Sequence, residues 1–418
     1  MTVEDSELRL IYITPERLKK SKRFLNKLQK AHALGLFRFL AIDEVHCCSQ
    51  WGHDFRPDYK FLSVMKESFP DVPIMGLTAT LTGSVLKDVR EMLNIPSCLV
   101  FKAPLDRPNI RYRVLLKPSS GDIDLLSRLL TVDFADQVGI VYVLTIKSAE
   151  SLWGSLRGKG VKAGLYHGSM ESKDRSAMHE KWSKEKIKVI IATTAFGMGI
   201  DKPNVRFVIH FNLPKSVDNF YQESGRAGRD GSPSQSILLF NFDDIFKVST
   251  MAFTERSGID HLYRIVDYAS SVNKCRRSFL SSYFGGNWGG TVTCDSNCDY
   301  CEGSLCSEEM EVTNAAKEVL DVLRRGEEEE VNLTACKLID SLMGKGSKGL
   351  SRSKKLPKPW NRVNTSLLIT KLLIDGLIKE SFHFTPYSTI SYLKLNRGVR
   401  PKREHILPSV HSISYNQR

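Results

Sequence analysis

Asp43 and Glu44 stand side by side at the end of an apolar run, Phe37 to Ile42, with His46 two residues further on. An apolar run closed by carboxylates predicts a strand whose end faces a ligand, as in open parallel sheets. One carboxylate in that position holds Mg²⁺ through water, and its neighbour polarises a water for attack on a γ-phosphate. The loop that follows, Cys47 to Tyr59, carries Ser49, Gln50, Trp51, Phe55 and Arg56. Aromatic and cationic groups mixed in this way suit base stacking and phosphate contact, and they also suit an aromatic packing loop.

Arg226 and Arg229 lie three apart on a Gly-rich turn, after a helical turn expected at 219–223 that carries Gln222. Guanidinium forks stabilise charge that spreads onto phosphate oxygens; a surface Arg pair is the plain alternative. Thr145, Lys147, His167, Thr193 and Thr194 fall at strand ends or in the loops after them. Hydroxyl and cationic groups there can position nucleic-acid phosphates without reading sequence, and each could also be ordinary helix-cap chemistry.

Nine cysteines are present, four of them between 294 and 306. An odd count and a start without an apolar leader argue against a secreted disulfide framework. Cys275, Cys294, Cys298 and Cys301 have the spacing C-x18-C-x3-C-x2-C, a four-thiolate set suited to structural Zn²⁺. Cys306 is a spare that could replace one ligand, and Cys47, Cys48, Cys98 and Cys336 read as buried or loop thiols.

The elements that must hold these groups alternate between strand and helix. Leu8–Ile13, Phe37–Ile42 and 73–77 are the expected strands of a first lobe, with helical spacing over Glu16–His32. Strands at 139–144, 189–192, 207–211 and 236–240 belong to a second, joined to the first near 103–109. Strands separated by helices imply parallel sheets, so the fold class is α/β. From 250 to 306 the pattern is helical and then Cys-rich. Beyond 309, helices at 315–323, 335–343 and 364–378 and a hairpin strand at 385–395 fit a small winged-helix module, with 344–359 as a basic loop.

The stretch Ala41 to Tyr59 resembles motif II and the aromatic-rich loop of RecQ-family DNA helicases. Gly76-Leu77-Thr78-Ala79-Thr80 resembles motif III, Ile191 to Asp201 motif V, and Tyr221 to Asp230 motif VI, in family order. The hairpin Phe384 to Leu393 is most similar to the short animal RecQ-like type one branch. Thr145 stands where the family more often has Ser, and Leu81 where Ala is usual. The resemblance implies two RecA-like lobes, residues 1–104 (the first lobe's C-terminal part) and 105–245. A zinc-binding subdomain at 246–306, a winged helix at 309–400 and a tail at 401–418 follow. It implies ATP, Mg²⁺ and Zn²⁺ as cofactors and a DNA single-strand/duplex junction as partner. It makes Asp43, Glu44, His46, Gln222, Arg226 and Arg229 catalytic, with Arg229 as the arginine finger, and Asp43, Glu44, Arg226 and Arg229 the nucleotide-binding set. Ser49, Gln50, Trp51, Phe55, Arg56, Thr145, Lys147, His167, Thr193 and Thr194 become DNA contacts, and Tyr387 a hairpin-tip wedge that stacks on the terminal base pair. Nuclear localisation and a homo-oligomer are compatible with the family.

Lys plus Arg is 60 against 47 acidic residues, a net charge of +13 that suits a polyanionic partner. No uncharged apolar run approaches the roughly 18 residues that span a bilayer, so no membrane partner is expected. One conflict remains. No G-x-x-x-x-G-K-[ST] occurs in the 418 residues, and with it the Lys for the β/γ-phosphates is missing. The first recognisable strand corresponds to motif Ib, so the strand ending at Asp43 is expected to leave apolar surface uncovered. The expectation is an N-terminally incomplete ATP-dependent 3′-to-5′ helicase acting in repair, recombination and replication. The alternatives are a non-catalytic DNA-binding or strand-annealing isoform, and an interaction protein that competes with the full-length enzyme.

Overall fold

Strands that are buried at every position need cover on both faces, and three such runs set the centre of a six-stranded parallel sheet. They are β4 (Gly139–Tyr142), β6 (Val189–Ala192) and β7 (Phe207–His210), buried throughout. β3 (Ile110–Leu116), β5 (Ala163–Tyr166) and β8 (Ser234–Phe240) complete the order β3-β8-β7-β4-β6-β5. Gly139 is required where it stands, because a Cβ there would lie 2.1 Å from the Phe207 ring. Leu126, Val141, Leu152, Ile191, Phe207 and Ile237 form one core. The opposite face is aromatic, with Phe220 between Tyr112 and Tyr268 at centroid distances of 6.1 and 5.0 Å.

The structure is a computed structural model that describes residues 8–50, 54–103, 105–118, 120–197, 199–285, 294–303, 305–345, 356–357, 360–398 and 410–415. The chain divides into two units: Met1–Leu105 with Ser281–Gly289, and Asp106–Leu280 with Gly290–Arg418. No helix among the described residues is long and apolar enough to cross a membrane.

In the first unit, β1 (Leu40–Ile42) pairs in parallel with β2 (Ile74–Gly76). Ile42 faces a core with Val45, Leu62, Met65 and Phe69, whereas Ala41 and its partner Met75 face outward. Met75 and Leu77 are 44% and 42% exposed, so apolar surface is left uncovered as expected. The strand expected at Leu8–Ile13 is corrected: this segment has no regular structure, and Leu10 and Tyr12 are exposed. A strand forms only where a neighbour takes its backbone groups, and the described sheet here contains β1 and β2 alone. The helix expected over Glu16–His32 is split at Ser21, whose Oγ accepts the Phe24 N–H at 3.3 Å and starts a second helix, Lys22–Ala33.

In the second unit, helices Phe242–Ala252 and Gly258–Ser270 follow the sheet, and the helix Arg276–Tyr283 starts there and ends among residues of the first. Helices Thr313–Glu328, Ala335–Leu342 and Arg362–Ile374 then enclose Val319, Val322, Leu338, Leu368 and Leu372. β9 (Leu305–Met310) pairs antiparallel with β12 (Val410–Tyr415), so the stretch 401–418, read above as a tail, contains a strand. β10 (Ile378–Phe384) and β11 (Thr389–Leu395) form the antiparallel hairpin. Its base is docked: Phe382 stacks on Phe253 at 4.4 Å, and Glu380 accepts hydrogen bonds from Tyr263 at 2.8 Å and Ser249 at 2.5 Å.

Candidate functional site

β1 ends at Ile42, and the chain then passes through Asp43 to a left-handed residue, Glu44, at φ 50°. That conformation costs a non-glycine residue about 1–3 kcal/mol and clusters at functional sites. Asp43 Oδ1 accepts the Glu44 N–H at 2.9 Å, which steadies the turn. A one-turn helix, Val45–Cys48, then buries His46, Cys47 and Cys48. Gly76 is the counterpart on β2, because a Cβ there would come within 3.1 Å of Val45.

His46 is tied to the segment after β2. Its Nδ1 lies 2.9 Å from Thr78 Oγ1 and 3.4 Å from Glu44 Oε2. The Thr78 hydroxyl spends its one proton on Thr80 O, at 2.9 Å, so it must accept from His46. The imidazole therefore carries its proton on Nδ1 and turns the Nε2 lone pair toward Cys47 Sγ, 3.7 Å away. Burial is the main cause that pushes the Cys47 thiol up to about 12. In the loop beyond, Arg56 pairs with Asp54 at 2.7 Å, and the Gln50 N–H donates to Asp88 at 3.2 Å. Ser49 is buried. The Lys60 ammonium sits 5.3 Å over the Phe55 ring. Trp51 lies outside the described residues.

In the second unit, Thr145, His167 and Thr193 follow the carboxyl ends of β4, β5 and β6, which adjoin in the sheet. Thr145 caps the helix Ile146–Gly158, its Oγ1 accepting the Ser148 N–H at 3.1 Å. Lys147, in the first turn of that helix, is exposed, as is Thr194. His167 is buried, 3.6 Å from Glu150 and 3.3 Å from Ser169 Oγ.

Arg226 follows the helix Val217–Ser224, is 6% exposed, and lies beside Tyr142 and Gly197. Its buried Nε has no hydrogen-bond partner among the described residues. Arg229 is placed differently: it is half-exposed and pairs with Asp201 Oδ1 at 2.7 Å and Ile200 O at 3.0 Å. Gln222 is half-buried on the same helix as Asp218. Arg107 holds this turn from below, donating to Gly225 O, Ala227 O and Gly228 O at 3.0, 3.0 and 2.9 Å.

The four sulfurs of Cys275, Cys294, Cys298 and Cys301 lie within 4.8 Å of one another. Cys275 and Cys298 are 3.9 Å apart, and a tetrahedron with metal–sulfur bonds of about 2.3 Å requires about 3.8 Å. The Cys275 thiol is pulled down to about 4, first by its hydrogen bond with Cys298 and then by the Ser278 backbone N–H. Residues next to two of the cysteines lock the frame. Arg276 donates to both carboxylate oxygens of Asp299, at 2.9 and 3.2 Å, with both side chains 2% exposed. Asp299 also accepts the Val114 N–H at 2.8 Å, and its own N–H donates to Tyr112 O at 3.1 Å. The cysteine turn thus pairs along the free edge of β3.

Three family profiles match: DEAD/DEAH box helicase over residues 2–89, helicase conserved C-terminal domain over 121–231, and RecQ zinc-binding over 242–302. The chain is 42% identical over 416 residues to ATP-dependent DNA helicase Q1 of Pongo abelii, covering 99% of this chain and 63% of that protein. It is 43% identical over 397 residues to the Mus musculus protein of the same name, covering 94% and 61%. The chain is similar to RecQ-family helicases along nearly its whole length, and residues 242–302 match the RecQ zinc-binding model. ATP-dependent DNA helicase Q-like 2 of Arabidopsis thaliana is 43% identical over 394 residues, covering 94% of this chain and 54% of that one. The chain spans about three fifths of the length of these curated relatives.

The structure gathers Asp43, Glu44 and His46 at one strand end and the four cysteines into one cluster. It separates the environments of Arg226 and Arg229. Sequence reading missed Arg107, Arg276 and Asp299 as positioning residues. It also missed the strands β3 and β5, although β3 carries a period-two burial pattern, Ile110, Tyr112 and Val114 facing in. Arg276 and Arg277, next to Cys275, looked like plain basic residues until their partners Asp299 and Asp106 were known.

Proposed function

We propose that these residues serve an ATP-dependent 3′-to-5′ DNA helicase that acts on single-strand/duplex junctions, in a form of the protein that also carries a phosphate loop. The observation that carries this reading is the link from Glu44 through His46 to Thr78. It joins the strand-end carboxylates to the segment after the neighbouring strand. Asp43 and Glu44 would hold Mg²⁺, which supplies charge neutralisation at phosphate oxygens. Glu44 takes the proton of the attacking water, and Arg226 and Arg229 supply the guanidinium groups for phosphate oxygens. Arg229, paired with Asp201, must leave that partner before it can act as a finger.

The four-cysteine cluster suits Zn²⁺ in number, element type and spacing. Cys275, Cys294, Cys298 and Cys301 would hold it, closing the turn against β3. Helices at 313–328, 335–342 and 362–374 with the β10/β11 hairpin suit a winged helix that grips duplex DNA. Tyr387 at the hairpin tip is 97% exposed, as a stacking wedge must be. Thr145, Lys147, His167, Thr193 and Thr194 would follow the DNA backbone. Nuclear localisation, homo-oligomerisation and work in repair, recombination and replication belong to the same reading.

On its own, the 418-residue chain lacks G-x-x-x-x-G-K-[ST], so it should bind DNA with steep salt dependence and hydrolyse ATP negligibly. The test is a form that carries the phosphate loop. It should show DNA-stimulated ATPase and unwind 3′-tailed duplexes, and Glu44→Gln should abolish hydrolysis while DNA binding persists. Normal hydrolysis by Glu44→Gln would overturn the reading.

A further inference from the structure

We propose that His46, Cys47 and Asp54 form a second metal site, selective for a thiophilic divalent cation and separate from the four-cysteine cluster. Their three donor atoms lie within 4.8 Å of one another, and His46 and Cys47 are buried. Cys47 Sγ is 3.7 Å from His46 Nε2 and 3.7 Å from Asp54 Oδ2. A tetrahedral ion with bonds of about 2.3 Å to sulfur and about 2.0 Å to nitrogen or oxygen places such donors about 3.5 Å apart. The two sulfur edges of the tetrahedron are therefore formed to within a few tenths of an ångström.

The tautomer of His46 is the right one. Thr78 Oγ1 gives its proton to Thr80 O and receives that of His46 Nδ1, so Nε2 presents a lone pair on the side of Cys47. A ligating histidine whose other nitrogen donates to a fixed acceptor is the usual outer-shell arrangement of metal sites. Asp54 is 45% exposed and supplies both the entry path and a carboxylate. Arg56, one of its partners, is 32% exposed. On binding, the Cys47 Sγ–H bond breaks as the sulfur–metal bond forms, and the proton leaves to solvent with no change of oxidation state. The ion would tie Asp54 to the helical turn that follows Glu44.

The experiment is metal titration of the reduced, chelator-stripped 418-residue chain with Zn²⁺ and with Co²⁺. Its readouts, stoichiometry and thiolate-to-cobalt absorption, do not depend on the helicase reading. The expected result is a second, weaker equivalent above the first. Asp54→Ala, at a half-exposed position, and Cys47→Ser should each remove that equivalent and leave the tighter one. One equivalent in the parent chain, or a weaker equivalent that survives Asp54→Ala, would overturn the site.

Discussion

His46 donates from Nδ1 to Thr78 Oγ1 at 2.9 Å, across the parallel pair β1 and β2. The same hydroxyl accepts the Thr80 N–H at 3.2 Å and donates to Thr80 O at 2.9 Å, so one side chain sets both the histidine and the turn. Thr78→Val removes this hub and Thr78→Ser keeps it. The valine variant should lose about 1–3 kcal/mol of first-unit stability in denaturant titration, and serine much less. In a form that carries the phosphate loop, valine should also lower DNA-stimulated ATPase more than serine does. Equal stability of the two variants would show that the hydroxyl is incidental.

The cysteine cluster is framed by a buried ion pair, and breaking such a pair from one side is costly because it strands the other charge. Asp299→Asn should therefore release zinc to a competing chelator about 10- to 100-fold more readily, although no thiol is touched. Cys298→Ser should lose the metal outright and destabilise the second unit, since the binding energy is largely folding energy. Zinc retention at the parental level in Asp299→Asn would remove the positioning role.

Glu380 anchors the hairpin through Ser249, Ser391 and Tyr263, and burial, the largest cause, raises its carboxyl above the ordinary range. A carboxyl raised on folding favours the folded state most when protonated, and this contribution fades as pH climbs through the folded value. The melting temperature of the parent chain minus that of Glu380→Gln should thus be larger at about pH 5 than at about pH 8. A difference that grows toward alkaline pH would contradict the sign.

At the hairpin tip, Thr385 and Ser388 close the turn by exchanging hydrogen bonds of 2.9 Å, and Tyr387 projects from it. Tyr387→Ala buries nothing less than before, so stability should move by under about 0.5 kcal/mol. Strand separation by a form that carries the phosphate loop should fall far more than its ATPase. Normal unwinding would make the hairpin structural only.

Much of this molecule is legible in linear order because its chemistry sits where local rules apply. Carboxylates that close an apolar run, thiols spaced C-x3-C-x2-C and central strands that are almost wholly apolar are all properties of neighbouring residues. The family motifs lie in the same short stretches. What needed the fold are relationships between residues far apart in the chain. Leu8–Ile13 has strand composition, yet composition cannot provide the neighbour that a strand requires. Arg226 and Arg229 are equivalent as letters; packing buries one beside Tyr142 and gives the other to Asp201. Arg107 lies about 120 positions from the turn it holds, and Arg276 and Asp299 meet only because the cysteine turn lies along β3. The tautomer of His46 likewise depends on a threonine from the neighbouring strand's end. Burial and long-range hydrogen bonding assign these roles, since each depends on which groups are withdrawn from water together.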